Sequence, residues 1–207
     1  MLDSILKFFV VFFVVVEPLS LVPAFASLTQ NYAVDQRRQI ATKAVSISAL
    51  ICVIFAVAGA KLLQVLGITL SAFRIGAGIL LFLIALDMVF ARASPIRGTT
   101  AGEENEVKLR HDISVFPLAF PLITGPGAMA TIMLAFGESQ LSWLAFFAQM
   151  LAMLIVLLMA WITMRLTGPM MRVMGVTGAN VISRLFGVIL AALAVQYIID
   201  GIKGAMH

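Results

Sequence analysis

A carboxylate, a hydroxyl and two prolines occupy Glu17, Ser20, Pro18 and Pro23, inside a run that is otherwise apolar from Phe8 to Phe25. An ionised acid at the centre of a membrane helix costs about 3 kcal/mol unless it finds a partner, water or a proton. Glu17 therefore points to proton or cation coupling, or to contact with a substrate ammonium. The plainer alternatives are a neutral acid or a structural ion pair, for instance with Arg74. A second break lies in Phe120-Pro121-Leu122-Ile123-Thr124-Gly125-Pro126-Gly127-Ala128, preceded by Pro117. Proline removes a backbone donor and clashes with the turn before it, so both stretches free backbone groups. Free N–H groups at the start of a half-helix suit a carboxylate, glycine lets a ligand approach them, and Thr124 adds a hydroxyl. Free carbonyls at the opposing ends suit an ammonium or a cation. The substrate-contact residues expected on these grounds are Glu17, Pro18, Ser20, Thr124, Gly125, Pro126, Gly127 and Ala128.

Other chemistry is poorly represented. The histidines are His111 and His207, no HExxH occurs, and no second acid obviously pairs with Glu17 or Asp87. These residues argue against an intramembrane enzyme and for no catalytic residue, metal site or cofactor. Cys52 is single and lies in an apolar run, as a packing residue would. Arg74 and Arg184 each begin a helix and read as interfacial or helix-pinning charges. Thr29 reads as a helix terminus.

The elements that must carry the two breaks follow from composition. The chain has 207 residues, of which 62% are hydrophobic and 12% charged, with a mean hydropathy of +1.08. That is an integral membrane protein in a lipid bilayer, one transmembrane domain over 1–207. Its net charge of +4 needs no nucleic-acid partner, because cations flanking spans produce the same balance. Apolar runs place six helices at about Leu2–Leu28, Ile40–Leu63, Ile68–Phe90, Ile113–Phe136, Leu141–Leu166 and Ala179–Ile202. Lys7, the following apolar run and Ala24-Phe25-Ala26 imitate a signal peptide, but Glu17 and Pro18 interrupt it and the interruption recurs later in the chain. A polar connection over 92–112, with Glu103, Glu104 and Glu106, reads as a mobile surface loop. Ala44, Ser48, Cys52, Ala56 and Ala60 in the second helix, and Ala179, Ser183, Gly187 and Ala191 in the sixth, form small-residue stripes that let helices approach closely.

The pattern repeats. Pro18-Leu19-x-x-x-Pro23 matches Pro121-Leu122-x-x-x-Pro126, and Leu66-Gly67-Ile68-Thr69 resembles Met174-Gly175-Val176-Thr177, each followed by an arginine, Arg74 or Arg184. Repeat one covers about 1–91 and repeat two about 113–207. Three spans per repeat is an odd number, so the second crosses the membrane in the opposite sense. The expected architecture is all-α, with six transmembrane helices in two inverted three-helix repeats, the first helix of each broken by Pro or Gly. Such breaks are a sequence mark of secondary transporters, with the solute bound where they meet. Nine lysines and arginines flank one side of the membrane and three the other, which places both termini away from the cytoplasm. A coupling proton or monovalent cation and a homo-oligomer are left open as partners.

Val16 to Phe25 and the longer Phe116 to Ala128 together resemble the MarC family of bacterial inner-membrane proteins, grouped with LysE-like transporters. The resemblance covers nearly the whole chain. It implies six helices and transport of small neutral amino acids such as glycine or alanine, as in some members. Glu17 replaces the family's usual Asp or Asn, and Ser20 a frequent Gly, which bears on the substrate more than on the fold. The competing function is a membrane assembly or regulatory protein without transport.

Overall fold

The structure, a computed structural model, describes residues 2–90, 112–137 and 142–206. Most of the expected 92–112 connection, with its three glutamates, and both histidines lie outside the described residues. Every regular element among those described is helical: α1 Leu2–Val16, α2 Leu21–Leu28, α3 Val34–Val65, α4 Leu70–Phe90, α5 Ser114–Ile123, α6 Pro126–Phe136, α7 Trp143–Arg165 and α8 Thr167–Ala205. Helices satisfy every backbone group within the segment, which an apolar solvent requires.

Five segments are long and apolar enough to span a bilayer, and α5 with α6, bent by 57°, makes a sixth. They coincide with the six expected spans, with two extensions. α3 begins at Val34 rather than Ile40, because the Gln36 side chain accepts the Ala33 N–H at 3.0 Å and closes a polar first turn. Thr167 to Met174, which hydropathy leaves as a connection, winds into a helical lead that breaks at Gly175 before the last span, Thr177–Ala205.

The burial pattern is that of a protein in lipid. On α7, Phe147, Leu151, Leu154 and Leu158 face outward along one stripe, while Ala152, Val156, Ala160 and Met164 are buried on the other. Exposed leucine costs nothing when the solvent is itself apolar, so close packing of small residues fixes the interior. The first span is the most enclosed, 56% buried against 22–33% for the other unbent ones. Its Phe8 and Phe12 stack at 5.5 Å, and Phe8 meets Phe136 of α6 edge-on at 5.6 Å.

α4 and α8 lie against each other along their length. A Cβ on Gly78 would stand 2.8 Å from the Ala194 carbonyl oxygen, one on Gly187 3.0 Å from that of Ala85, and one on Gly201 2.9 Å from that of Ser71. Main chain meets main chain there, and no larger residue fits without moving a helix. Elsewhere α1 and α2 pack on α7 while α5 and α6 pack on α3, and α2 packs on α8 while α6 packs on α4. Each broken span thus lies against the second and third spans of the other half. Ala44, Ser48, Cys52 and Ala56 are buried along the expected face of α3, with Ala60 half-buried beyond them. Ala179 and Gly187 are buried in α8. The two glycines matched in the sequence share a positive φ: Gly67 has φ 68° and Gly175 φ 60°.

Candidate functional site

α1 stops at Glu17. Its N–H still donates to the Phe13 carbonyl at 2.9 Å, but its φ of 53° is left-handed, an uncommon conformation for a residue with a side chain. Pro18 cannot continue the ladder, and the Ser20 N–H instead donates to the Glu17 carbonyl at 3.0 Å, closing a turn into α2. The freed Pro18 carbonyl accepts the Thr163 hydroxyl of α7 at 2.9 Å, with Ala160 of the same helix as alternative acceptor. The Glu17 side chain is enclosed, 2% exposed, and its Oε1 accepts the Ser20 hydroxyl at 2.5 Å. A left-handed non-glycine residue costs about 1–3 kcal/mol and persists where its surroundings over-determine it, which is common at functional sites. Thr29 is the last residue of this span, its hydroxyl donating to the Phe25 carbonyl at 2.6 Å.

The second break is built differently. The residues before its first two prolines, Phe116 and Phe120, are extended, as pre-proline residues prefer, and both Phe-Pro bonds are cis. The turns of α5 are wide: Leu118 donates to the Ile113 carbonyl at 3.4 Å and Thr124 to that of Ala119 at 2.9 Å, each across five residues. The Ala119 carbonyl also receives the Thr124 hydroxyl at 2.6 Å and, more distantly, the Ser48 hydroxyl of α3 at 3.5 Å. Gly125 then caps α6. A Cβ there would lie 2.5 Å from the Pro121 carbonyl oxygen, so only glycine fits.

α6 opens on Pro126, which has no N–H, and its first hydrogen bond runs from Met129 to the Gly125 carbonyl at 3.1 Å. The N–H groups of Gly127 and Ala128 lie in that first turn, where a helix offers no partner, and both residues are buried. A Cβ on Gly127 would come within 3.0 Å of Ile84, 3.1 Å of Leu81 and 3.2 Å of Val15. The start of α6 is thereby held against the end of α1, two residues before Glu17. Val15, Ile84, Leu122 and Gly125 to Ala128 line a cavity of about 10 Å³ at this junction.

Four of the eight expected contact residues, Gly125, Pro126, Gly127 and Ala128, thus share one cavity. Glu17, Pro18 and Ser20 form the adjacent turn but do not line it. Thr124 is fully buried with its proton on Ala119, so only its oxygen lone pair is on offer. Ser48, which the sequence offers only as a small packing residue, and Thr163 serve the carbonyls of the two breaks, and Gln149 is buried in α7. The signal for Gln149 was present, because an amide in an apolar span is expensive. Cys52 is buried packing, as expected. Arg74 lines a pocket at the end of the bundle with Lys7 and Asp200.

At the mouth of α5, Asp112 accepts from Lys43 of α3 and from the Ser114 hydroxyl. Those donors, Lys43 first, hold its carboxyl below the ordinary aspartate value of 3.8.

A family model described as MarC family integral membrane protein matches residues 2–206. The UPF0056 membrane protein of Aquifex aeolicus is 36% identical, covering 97% of this chain and 92% of the relative. The UPF0056 membrane protein YvbG of Bacillus subtilis is also 36% identical, over 99% and 96%. The archaeal UPF0056 membrane protein MJ0972 of Methanocaldococcus jannaschii reaches 37%, over 95% and 85%. No solved structure matches the chain.

Proposed function

The chain belongs to the MarC family of integral membrane proteins, and from that premise we propose that it is a secondary transporter of a small zwitterionic solute. The observation that carries the reading is the buried first turn of α6, two N–H groups beside a glycine cradle, pressed against the end of α1 next to the enclosed Glu17. The solute carboxylate would take the Gly127 and Ala128 N–H groups, and its ammonium the carbonyl and acid side of the first break. Glycine and alanine are the first candidates, from the resemblance to other members.

The two inverted repeats belong to this reading. The shared positive-φ glycines and the exchanged packing of broken spans support it. The cavity of about 10 Å³ is at the size that admits a single water, so this conformation is closed around the junction. Solute entry then requires the repeats to rock apart, and a proton or monovalent cation at Glu17 would couple that step. Positive flanks held in the cytoplasm would leave both termini on the opposite face of an inner membrane. The same closure favours the rival reading, an assembly or regulatory protein with no solute site.

Counterflow of glycine and alanine in proteoliposomes separates the two. Saturable exchange is expected in the wild type. Gly127→Ala, which adds a methyl against Val15 and Ile84, and Glu17→Gln are expected to reduce it at least tenfold. Absence of exchange with every small amino acid tried removes the transport reading, and exchange unchanged in both variants removes the junction as its site.

A further inference from the structure

A pocket of about 280 Å³ opens at the end of the bundle where α1 begins and α8 ends. Five helices wall it: Ser4 and Lys7 come from α1, Arg74 from α4, Gln149 from α7, and Tyr197 and Asp200 from α8, with apolar wall from the last turn of α6. Such a pocket lies inside the mouth of the bundle rather than on its lipid face. Small-molecule sites run about 300–1,000 Å³, so this volume suits an occupant of a few heavy atoms.

Its chemistry is polarised. Lys7 and Arg74 supply two cations, and Asp200, which accepts from the Gln196 amide at 2.8 Å, supplies one anion. Gln149 is only 3% exposed, and its side-chain oxygen has no hydrogen-bond partner among the described residues. A buried amide oxygen left unmet is costly, and a donor brought into the pocket would relieve that cost. We propose that this pocket is a second solute site, at the bundle mouth, for a small carboxylate that carries a hydrogen-bond donor beside its acid group. The carboxylate pairs with Lys7 and Arg74, and the donor, an ammonium or a hydroxyl, reaches Gln149 Oε1 with Asp200 behind it. The site is distinct from the broken-helix junction. α6 connects them: Gly127 at its start touches the junction and Leu134 near its end walls the pocket, about 10 Å further along.

The test is equilibrium binding to the purified full chain in nanodiscs, by titration calorimetry, with L-alanine, L-lactate, propionate and ethylamine as probes. Alanine, lactate or both are expected to bind saturably; propionate, without the donor, and ethylamine, without the acid, bind at least tenfold more weakly. Gln149→Leu is expected to weaken binding at least tenfold. Lys7→Gln, at an exposed position that leaves the fold untouched, weakens it at least threefold, whereas Gly127→Ala at the junction leaves it in place. Binding that survives both Gln149→Leu and Lys7→Gln overturns the proposal. If such binding is lost in Gly127→Ala, the solute sits at the broken helices, and the transport reading stands without this site. Failure of both alanine and lactate to bind the wild type also overturns it.

Discussion

Single hydroxyls serve carbonyls at both breaks. Thr163 and Ser48 belong to helices that contain no break, yet they reach the carbonyls of Pro18 and Ala119. Replacing Thr163 by valine keeps the shape and removes the donor, so thermal unfolding should show a loss of about 1 kcal/mol, the ordinary worth of one such bond. Serine at the same position should recover most of it. Asp112 gives a pH prediction with a definite sign. Its folded-state carboxyl titrates below 3.8, so the pairing with Lys43 and Ser114 contributes stability above the unfolded value and loses it as pH falls through the folded one. Wild type should therefore exceed Asp112→Asn in thermal midpoint at pH 7, and the gap should close below about pH 3.8. Both residues are more than 40% exposed at the side chain, so the effect is modest and shrinks in high salt. Glu17, Gly125 and Gly127 were legible in the sequence because each violates the pattern around it. Thr163 and Ser48 were not, since a hydroxyl within a helix ordinarily bonds its own preceding turn and carries no mark of a distant partner.

Among the elements, those read most cleanly from sequence were the six spans, because hydropathy over about 20 residues reports directly on the solvent they cross. The winding of α5 was less accessible. Prolines at 117 and 121 announce a break but do not say whether the chain kinks, unwinds or widens, and here it widens between extended phenylalanines. The polar first turn of α3 and the 167–174 lead escaped for a related reason: helix at the membrane boundary is not marked by hydropathy. The paired glycines at 67 and 175 were legible through the repeated motif, and their positive φ gives a quantitative test. Alanine at either should cost about 1–3 kcal/mol, and the two costs should add, because Gly67 lies near the end of α4 that meets Gly201 while Gly175 lies toward the far end of α8. Gly76, inside α4 with nothing within 4 Å of an added Cβ, is the control. Gly76→Ala should leave the thermal midpoint unchanged or raise it.

At the scale of the whole molecule, the first span is the hub and the α4–α8 pairing the longest seam, and the sequence suggested only part of this. Small-residue stripes were visible in the second and sixth helices, but the glycines of α4 that meet α8 were not recognised as its partners, because a stripe names a face and not what covers it. The seam joins the two halves of the chain. Gly78, Gly187 and Gly201 make it close, each leaving a notch that a side chain of the facing helix (Ile198, Met88 or Ile75) enters beside a backbone carbonyl. Mechanically such a joint resists separation, and the relative motion left to its two helices is a small slide along their length, the shear mode of packed helices. A pin would stop it. A Cβ on Gly204 lies 3.8 Å from that of Ser71, within the roughly 3.5–4.5 Å a disulfide spans. Oxidising Ser71→Cys with Gly204→Cys, in a Cys52→Ala background, should lower counterflow to background, and reduction should bring it back. If the pinned protein exchanges solute as fast as the free one, this seam stays still during the cycle and the motion lies elsewhere.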